Sequence, residues 1–269
     1  MNCHACGDPL PKDKHQCPSC KTWTWQEQIS LQREIVYWED LGDKPLQRLS
    51  LGILDECLCG GVVISDVILI GGGPGAGKST LLWEVCSQIW KHGVCLYVGA
   101  EEDQLTVKAR GKRLGKNPPP KRMAFYNAMG GGTDLGAVII ESRPAGIIID
   151  SLNGLVGGDL AAEIRALEIL KQFCVQLQAP AVVISQVNAD LDFSGLMAKQ
   201  HAVDVLLRLT KDPDVRTENG EQVRILESRD KNRNGRVGIE TYLEMSETGL
   251  YRLDTDECSA LGLLEDEPD

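Results

Sequence analysis

A chain of 269 residues with 42% hydrophobic and 25% charged side chains has the composition of a soluble globular protein, long enough for one large domain and an appendage. Its formal net charge of −11 argues against a protein that coats nucleic acid with its whole surface. No run of roughly 18 or more apolar residues occurs, and cysteines stand where a signal peptide needs an apolar core, so the sequence reads as cytosolic, with no membrane partner.

Ten cysteines are present, four of them clustered near the amino terminus. Cys3-x2-Cys6 and Cys17-x2-Cys20 form two pairs, each on a tight turn, that can close tetrahedrally on Zn²⁺. A strip this short has no core of its own, so metal binding would supply its folding free energy, on the order of 10 kcal/mol. Four thiolates leave no open coordination position, which makes the expected zinc structural. The scattered Cys57, Cys59, Cys86, Cys95, Cys174 and Cys258 read as reduced thiols, and no structural disulfide is expected. The knuckle is placed over 1–26 and a linker over 27–45.

From Leu46 apolar runs alternate with helical patterns, implying an α/β domain over 46–253 with a mostly parallel sheet and helices on both faces. Strands are expected at 67–70, 94–98, 146–149 and 181–184, helices at 79–92, 103–114, 134–141 and 160–177. Three further strands, 205–209, 223–228 and 238–243, suggest an antiparallel extension. Residues 254–269 carry seven acids and no base and read as an acidic tail, whereas 108–122 carry seven bases and no acid.

The first strand runs into Gly71-Gly72-Gly73-Pro74-Gly75-Ala76-Gly77-Lys78-Ser79-Thr80, a phosphate loop in the strand-then-helix context it requires. Glycines let the backbone N–H groups turn inward onto the closely spaced oxygens of a triphosphate. Lys78 adds an ammonium for the β- and γ-phosphates, Ser79 a hydroxyl for Mg²⁺, and the helix start its positive end. Residues 72–80 are thus the expected ATP-binding set.

Ligands in such sheets bind at the carboxyl ends of the strands. The second strand ends in Glu101-Glu102-Asp103, and Glu101 is the expected general base for the attacking water, with Glu102 the second choice and helix capping the structural alternative for Glu101. The third ends in Asp150, the expected water-mediated Mg²⁺ partner, and the fourth in Gln186, placed to sense a γ-phosphate. A cation from outside the loop is also expected, and the basic turn Asp230-Lys231-Asn232-Arg233-Asn234-Gly235-Arg236 is its candidate source.

These motifs, in this order, resemble the RadA/Sms family of bacterial recombination and repair proteins, which are RecA-like ATPases. The resemblance is carried by the four cysteines with Trp23 after them, the phosphate loop, Leu96-Tyr97-Val98-Gly99-Ala100-Glu101-Glu102, Asp150-Ser151, the stretch 195–204 and Lys231-Asn232-Arg233-Asn234-Gly235. It implies an ATP-driven motor on single-stranded or branched DNA that performs branch migration or helicase-type remodelling, assembles as a hexameric ring and works beside a recombinase or replication protein. Lys231 and Arg233 then inherit a role in DNA handling or in reaching a neighbouring subunit's nucleotide. Arg165 and Lys199 become candidate phosphate contacts in the channel. Asn234 replaces the family's phenylalanine, and Leu196-Met197 stand where Pro-Lys is usual. The chain ends 34 residues after Gly235, so no Lon-like domain and no peptidase activity are expected. The alternative is a KaiC-like regulatory ATPase that switches protein partners without DNA.

Overall fold

The computed structural model describes residues 45–132, 134–186 and 194–263, together with Asp8, Pro9, Cys17, Ser19, Tyr37 and Trp38. The expected zinc knuckle and linker therefore lie almost wholly outside the described residues, although Cys17 is buried.

A two-stranded ribbon, β1 (Arg48–Leu49) against β2 (Val62–Val63), leads into the sheet strands β3 (Val67–Gly72), β4 (Cys95–Gly99), β5 (Met123–Asn127), β6 (Gly146–Asp150) and β7 (Ala181–Gln186). They are followed by β8 (Val205–Arg216), β9 (Gln222–Asn232), β10 (Ile239–Ser246) and β11 (Gly249–Arg252). The nine-stranded sheet has the order β11-β10-β9-β8-β3-β7-β6-β4-β5, parallel from β8 to β5 and antiparallel from β8 to β11. The fold is the expected α/β core with its antiparallel extension.

The helices are α1 (Lys78–His92), α2 (Gln104–Arg113), α3 (Leu135–Ser142), α4 (Leu152–Val156), α5 (Leu160–Leu177), α6 (Ser194–Ala198) and α7 (Thr255–Ala260). Strand alternation divides the core between the two faces of the sheet. Ile68 and Ile70 of β3 meet Leu81, Leu82, Val85 and Ile89 of α1 in one cluster, whereas Val67 and Leu69 meet Leu167, Leu170 and Phe173 of α5 in the other. An isolated helix the length of α1 is marginal in water, so this packing is what holds it in place.

Beyond the short elements β1, β2, β11, α4 and α6, two elements depart from the sequence reading. β5 was not anticipated: Met-Ala-Phe-Tyr-Asn is not a β-branched run, and its half-buried residues pair with β4 alone at the sheet edge. The expected acidic tail is folded at its start. Asp254 caps α7 in a reciprocal capping box with Glu257, and Cys258 is buried with Val223 and Leu253.

Candidate nucleotide site

β3 runs out at Gly72 and α1 begins at Lys78, so the phosphate loop sits at the carboxyl edge of the sheet beside the ends of β4, β6 and β7. Gly77, the residue before the helix, has φ +106°, and a Cβ there would stand 2.6 Å from Met245 Cε. The dihedral favours glycine, whereas the methionine tip could shift to make room. Lys78 Nζ donates to the carbonyls of Gly72 at 2.6 Å and Gly73 at 2.9 Å, folded back over the loop. Burial lowers its pKa, opposed by the charges of Asp150 and Glu101. The loop forms one wall of a cleft of about 370 Å³ that also holds Glu101, Arg110, Asp150 and Gln186.

Asp150 is only 7% exposed and accepts a 2.6 Å hydrogen bond from Tyr97 Oη. Burial raises its pKa above the usual carboxylate value, partly offset by hydrogen bonds from Tyr97 and Ser79. A folded-state pKa above the unfolded one means that the native protein binds more protons, so this group's contribution to stability falls as pH rises through that window. At neutral pH the ionised carboxylate strains the nucleotide-free fold, and Asp150→Asn is expected to raise the apo melting temperature while abolishing turnover. A melting temperature at pH 7 equal to or below that of the parent would refute this. A buried carboxylate next to a helix-start hydroxyl is a donor set that suits a hard cation, so Ser79 directly and Asp150 through water fit Mg²⁺.

The alternatives for the acid cluster after β4 separate by geometry. Asp103 caps α2, accepting from the backbone N–H groups of Leu105 at 2.7 Å and Thr106 at 3.1 Å. Glu102 is held by both terminal nitrogens of Arg110, each at 2.7 Å. Glu101 does neither. Its carboxylate faces the cleft, accepting from Gln186 Nε2 at 2.9 Å on both oxygens and from Ser151 Oγ. Gly154 of α4 permits this approach, since a Cβ there would stand 2.9 Å from Glu101 Cγ.

The basic turn that is the expected source of an extra cation does not reach this copy's own cleft. Lys231, paired with Leu206 at the start of β8, and Arg233, just after the end of β9, lie at the amino edge of the sheet, away from their own phosphate loop. There Lys231 Nζ donates to Gln200 O at 2.6 Å, and Arg233 pairs with buried Asp204 at 3.0 Å. Burial first, and Arg233 next, lower the Lys231 pKa. Asn234 Nδ2 ties the same turn to Asp66 at 2.6 Å. The cation in the cleft is Arg110, which the sequence marks as one base among seven in its segment and as the start of the stretch 110–115 shared with the resembled family, with no role assigned to it.

Lys199 is likewise not at a solvent-facing channel. It is 4% exposed, 2.5 Å from Glu163 and 2.8 Å from Ser185 Oγ. Glu163 in turn accepts from Asn153 Nδ2 at 2.8 Å, and Asn153 Oδ1 accepts from the backbone N–H of Gln186 at 2.9 Å. Arg165 is half-buried on α5. Among the described residues no group of three or more His, Cys, Asp or Glu side chains is placed to hold a metal ion, and Cys3, Cys6 and Cys20 lie outside them.

No family profile matches the chain. The DNA repair protein RadA of Haemophilus influenzae is 29% identical over 275 residues, covering 92% of this chain and 58% of that one. The RadA proteins of Bacillus subtilis and Escherichia coli are 26% and 28% identical over the same 92% of the chain. The chain is similar to RadA proteins along nearly its whole length, and it spans 58% of the length of those relatives. A KaiC-like protein from Pyrococcus horikoshii shares the fold, with a TM-score of 0.63, 18% identity and coverage of 78% of this chain and all of that one. Among the described residues no helix is long and apolar enough to cross a membrane.

Proposed function

We propose that this chain is an ATPase that uses nucleotide hydrolysis to remodel single-stranded or branched DNA during recombinational repair or replication. The observation that carries the hydrolytic reading is Glu101: alone among the three acids after β4, it is spared capping and ion pairing and turned into the phosphate-loop cleft. The DNA-repair reading rests on the RadA relatives.

In this reading the triphosphate displaces Lys78 from the Gly72 and Gly73 carbonyls, and its ammonium moves to the β- and γ-oxygens. Ser79 and Asp150 would hold Mg²⁺, which would supply charge neutralisation for the triphosphate. Glu101 orients a water in line with the γ-phosphorus and takes its proton as the new P–O bond forms. The bond to the β-bridging oxygen breaks, and ADP leaves with that electron pair. Gln186, released from Glu101, donates to a γ-oxygen, while Arg110 contributes positive charge at the cleft wall. Because Lys231 and Arg233 stand at the opposite edge of the sheet, any nucleotide they reach belongs to another copy, which fits a ring.

The test is ATP hydrolysis with and without single-stranded DNA at low and high salt, in the parent, Lys78→Ala and Lys231→Ala proteins. The expected result is DNA stimulation that fades with salt, turnover abolished by Lys78→Ala, and stimulation weakened by Lys231→Ala. Hydrolysis indifferent to DNA in both the parent and Lys231→Ala would favour the regulatory, KaiC-like reading. The burial of Lys199, which removes one of four candidate DNA contacts, already leans that way.

A further inference from the structure

The basic stretch 108–122 is split by the geometry of α2. Arg110 and Arg113 lie on one side of the helix, the first paired with Glu102 and the second donating to Glu247 O at 3.2 Å. Lys108 and Lys112, one turn apart on the opposite side, join Lys116 round a separate cavity of about 470 Å³. Among the described residues no acidic side chain lines it, although Lys116 is itself paired with Glu84 at 2.7 Å. Trp83, Met123 and Phe125 form an apolar floor, and Leu105 stands at its lip, 71% exposed. Trp83 is 3% exposed, and among the described residues its Nε1–H has no acceptor, a costly omission for a buried donor. An apolar floor, an exposed leucine and a lysine rim ask for a ligand with an aliphatic anchor and several carboxylates. Trp83 is buried and one face of the half-buried Phe125 is taken by Tyr97, with ring centroids 5.9 Å apart, which leaves nucleobases little open face on which to stack and disfavours a nucleic-acid strand.

The chain itself carries such a ligand: Leu264, followed by Glu265, Asp266 and Glu267, in a stretch with seven acids and no base. The segment follows α7, which packs with Val223, Leu253 and Tyr242 at β9 and β10. Those positions point to the face opposite Leu226 and Leu243, which lie under α1. The groove is on the α1 face, beside β4 and β5 at the other end of the sheet order. At about 4.8 Å per strand the two sites are roughly 25–30 Å apart across the sheet alone. Four extended residues beyond Leu263 reach only about 14 Å. The segment cannot occupy its own groove.

We propose that the groove binds the acidic segment 264–267 of a second copy of this chain, with Leu264 on the Trp83–Phe125 floor and the carboxylates against Lys108 and Lys112. Donor and acceptor surfaces differ, so the contact is head-to-tail and each copy leaves one of each free for the next.

The test uses the full chain and a labelled synthetic peptide of residues 262–269, read by fluorescence anisotropy. Lys108 and Lys112 are exposed and unpaired among the described residues, so Lys108→Glu/Lys112→Glu leaves the fold intact, checked by circular dichroism. Binding is expected to weaken at least tenfold in that variant and again on raising salt from about 0.05 to 0.5 M. Substituting Leu264→Ala in the peptide should also weaken it. Sedimentation should show the double variant associating with itself less than the parent does, and regaining association when mixed with full-length Glu265→Lys/Glu267→Lys. Failure of the parent to bind the peptide, equal affinity of parent and variant, or an oligonucleotide that binds the lysines while the peptide does not, each overturns the assignment.

Discussion

Glu101→Gln is expected to lower ATP turnover by about 10²–10⁴-fold, the usual contribution of a positioned general base, while nucleotide affinity changes little. The substitution keeps the size and shape of the side chain and removes only its capacity to take a proton from water. Glu101 contacts Gln186 and Ser151 and is not bonded to the loop backbone, so the cradle for the phosphates stays as it is. Lys78 loses one of the two negative charges that oppose its desolvation, but Asp150 remains. Nucleotide titration and single-turnover hydrolysis separate the two effects. A variant that binds normally and hydrolyses within about threefold of the parent would move the base elsewhere. Glu102→Gln supplies the contrast: it breaks the pair with Arg110 and should disturb nucleotide binding together with turnover.

The site was legible in sequence where local chemistry dictates local shape. The aliphatic runs of β3, β6 and β7 are buried on both faces, and their ends deliver Gly72, Asp150 and Gln186 to one edge because parallel strands must all finish there. Glu101 was singled out from Glu102 and Asp103 by position alone. What discriminates them is visible only in three dimensions, in the capping bonds of Asp103 and the reach of Arg110. Arg110 shows why the cleft cation was missed: a base on a helix does not declare which side of that helix meets the loop. The hairpin with Lys231 and Arg233 poses the opposite problem. Its motif is conspicuous, yet antiparallel pairing with β8 carries it to the far edge of the sheet. β5 and α7 escaped because an edge strand needs no β-branched run and because a chain of acids hid a capping box at Asp254.

The least legible feature is the buried network behind the site, and it sets the second large effect. Lys199→Met removes one partner of an ion pair whose members are 5% and 2% exposed, leaving Glu163 charged and uncompensated in the core. Breaking a pair of this kind typically costs about 3–5 kcal/mol, whereas neutralising both members often costs little. Lys199→Met is therefore expected to lower the melting temperature by roughly 5–15 °C, and Glu163→Gln added to it to recover much of the loss. The two substitutions are strongly non-additive because they share one interaction. The chain of bonds continues from Glu163 through Asn153 to the backbone N–H of Gln186, whose side chain rests on Glu101. A glutamine at 163 retains an acceptor for Asn153, so the double variant should keep Gln186 placed and turn over ATP near the parent rate once folded. Denaturant melts of the four proteins in the cycle, each paired with a turnover measurement, decide the matter. Additive losses would mean that the pair contributes nothing by its contact. Recovered stability without recovered turnover would mean that Lys199 acts on Gln186 through its bond to Ser185 and not through Glu163.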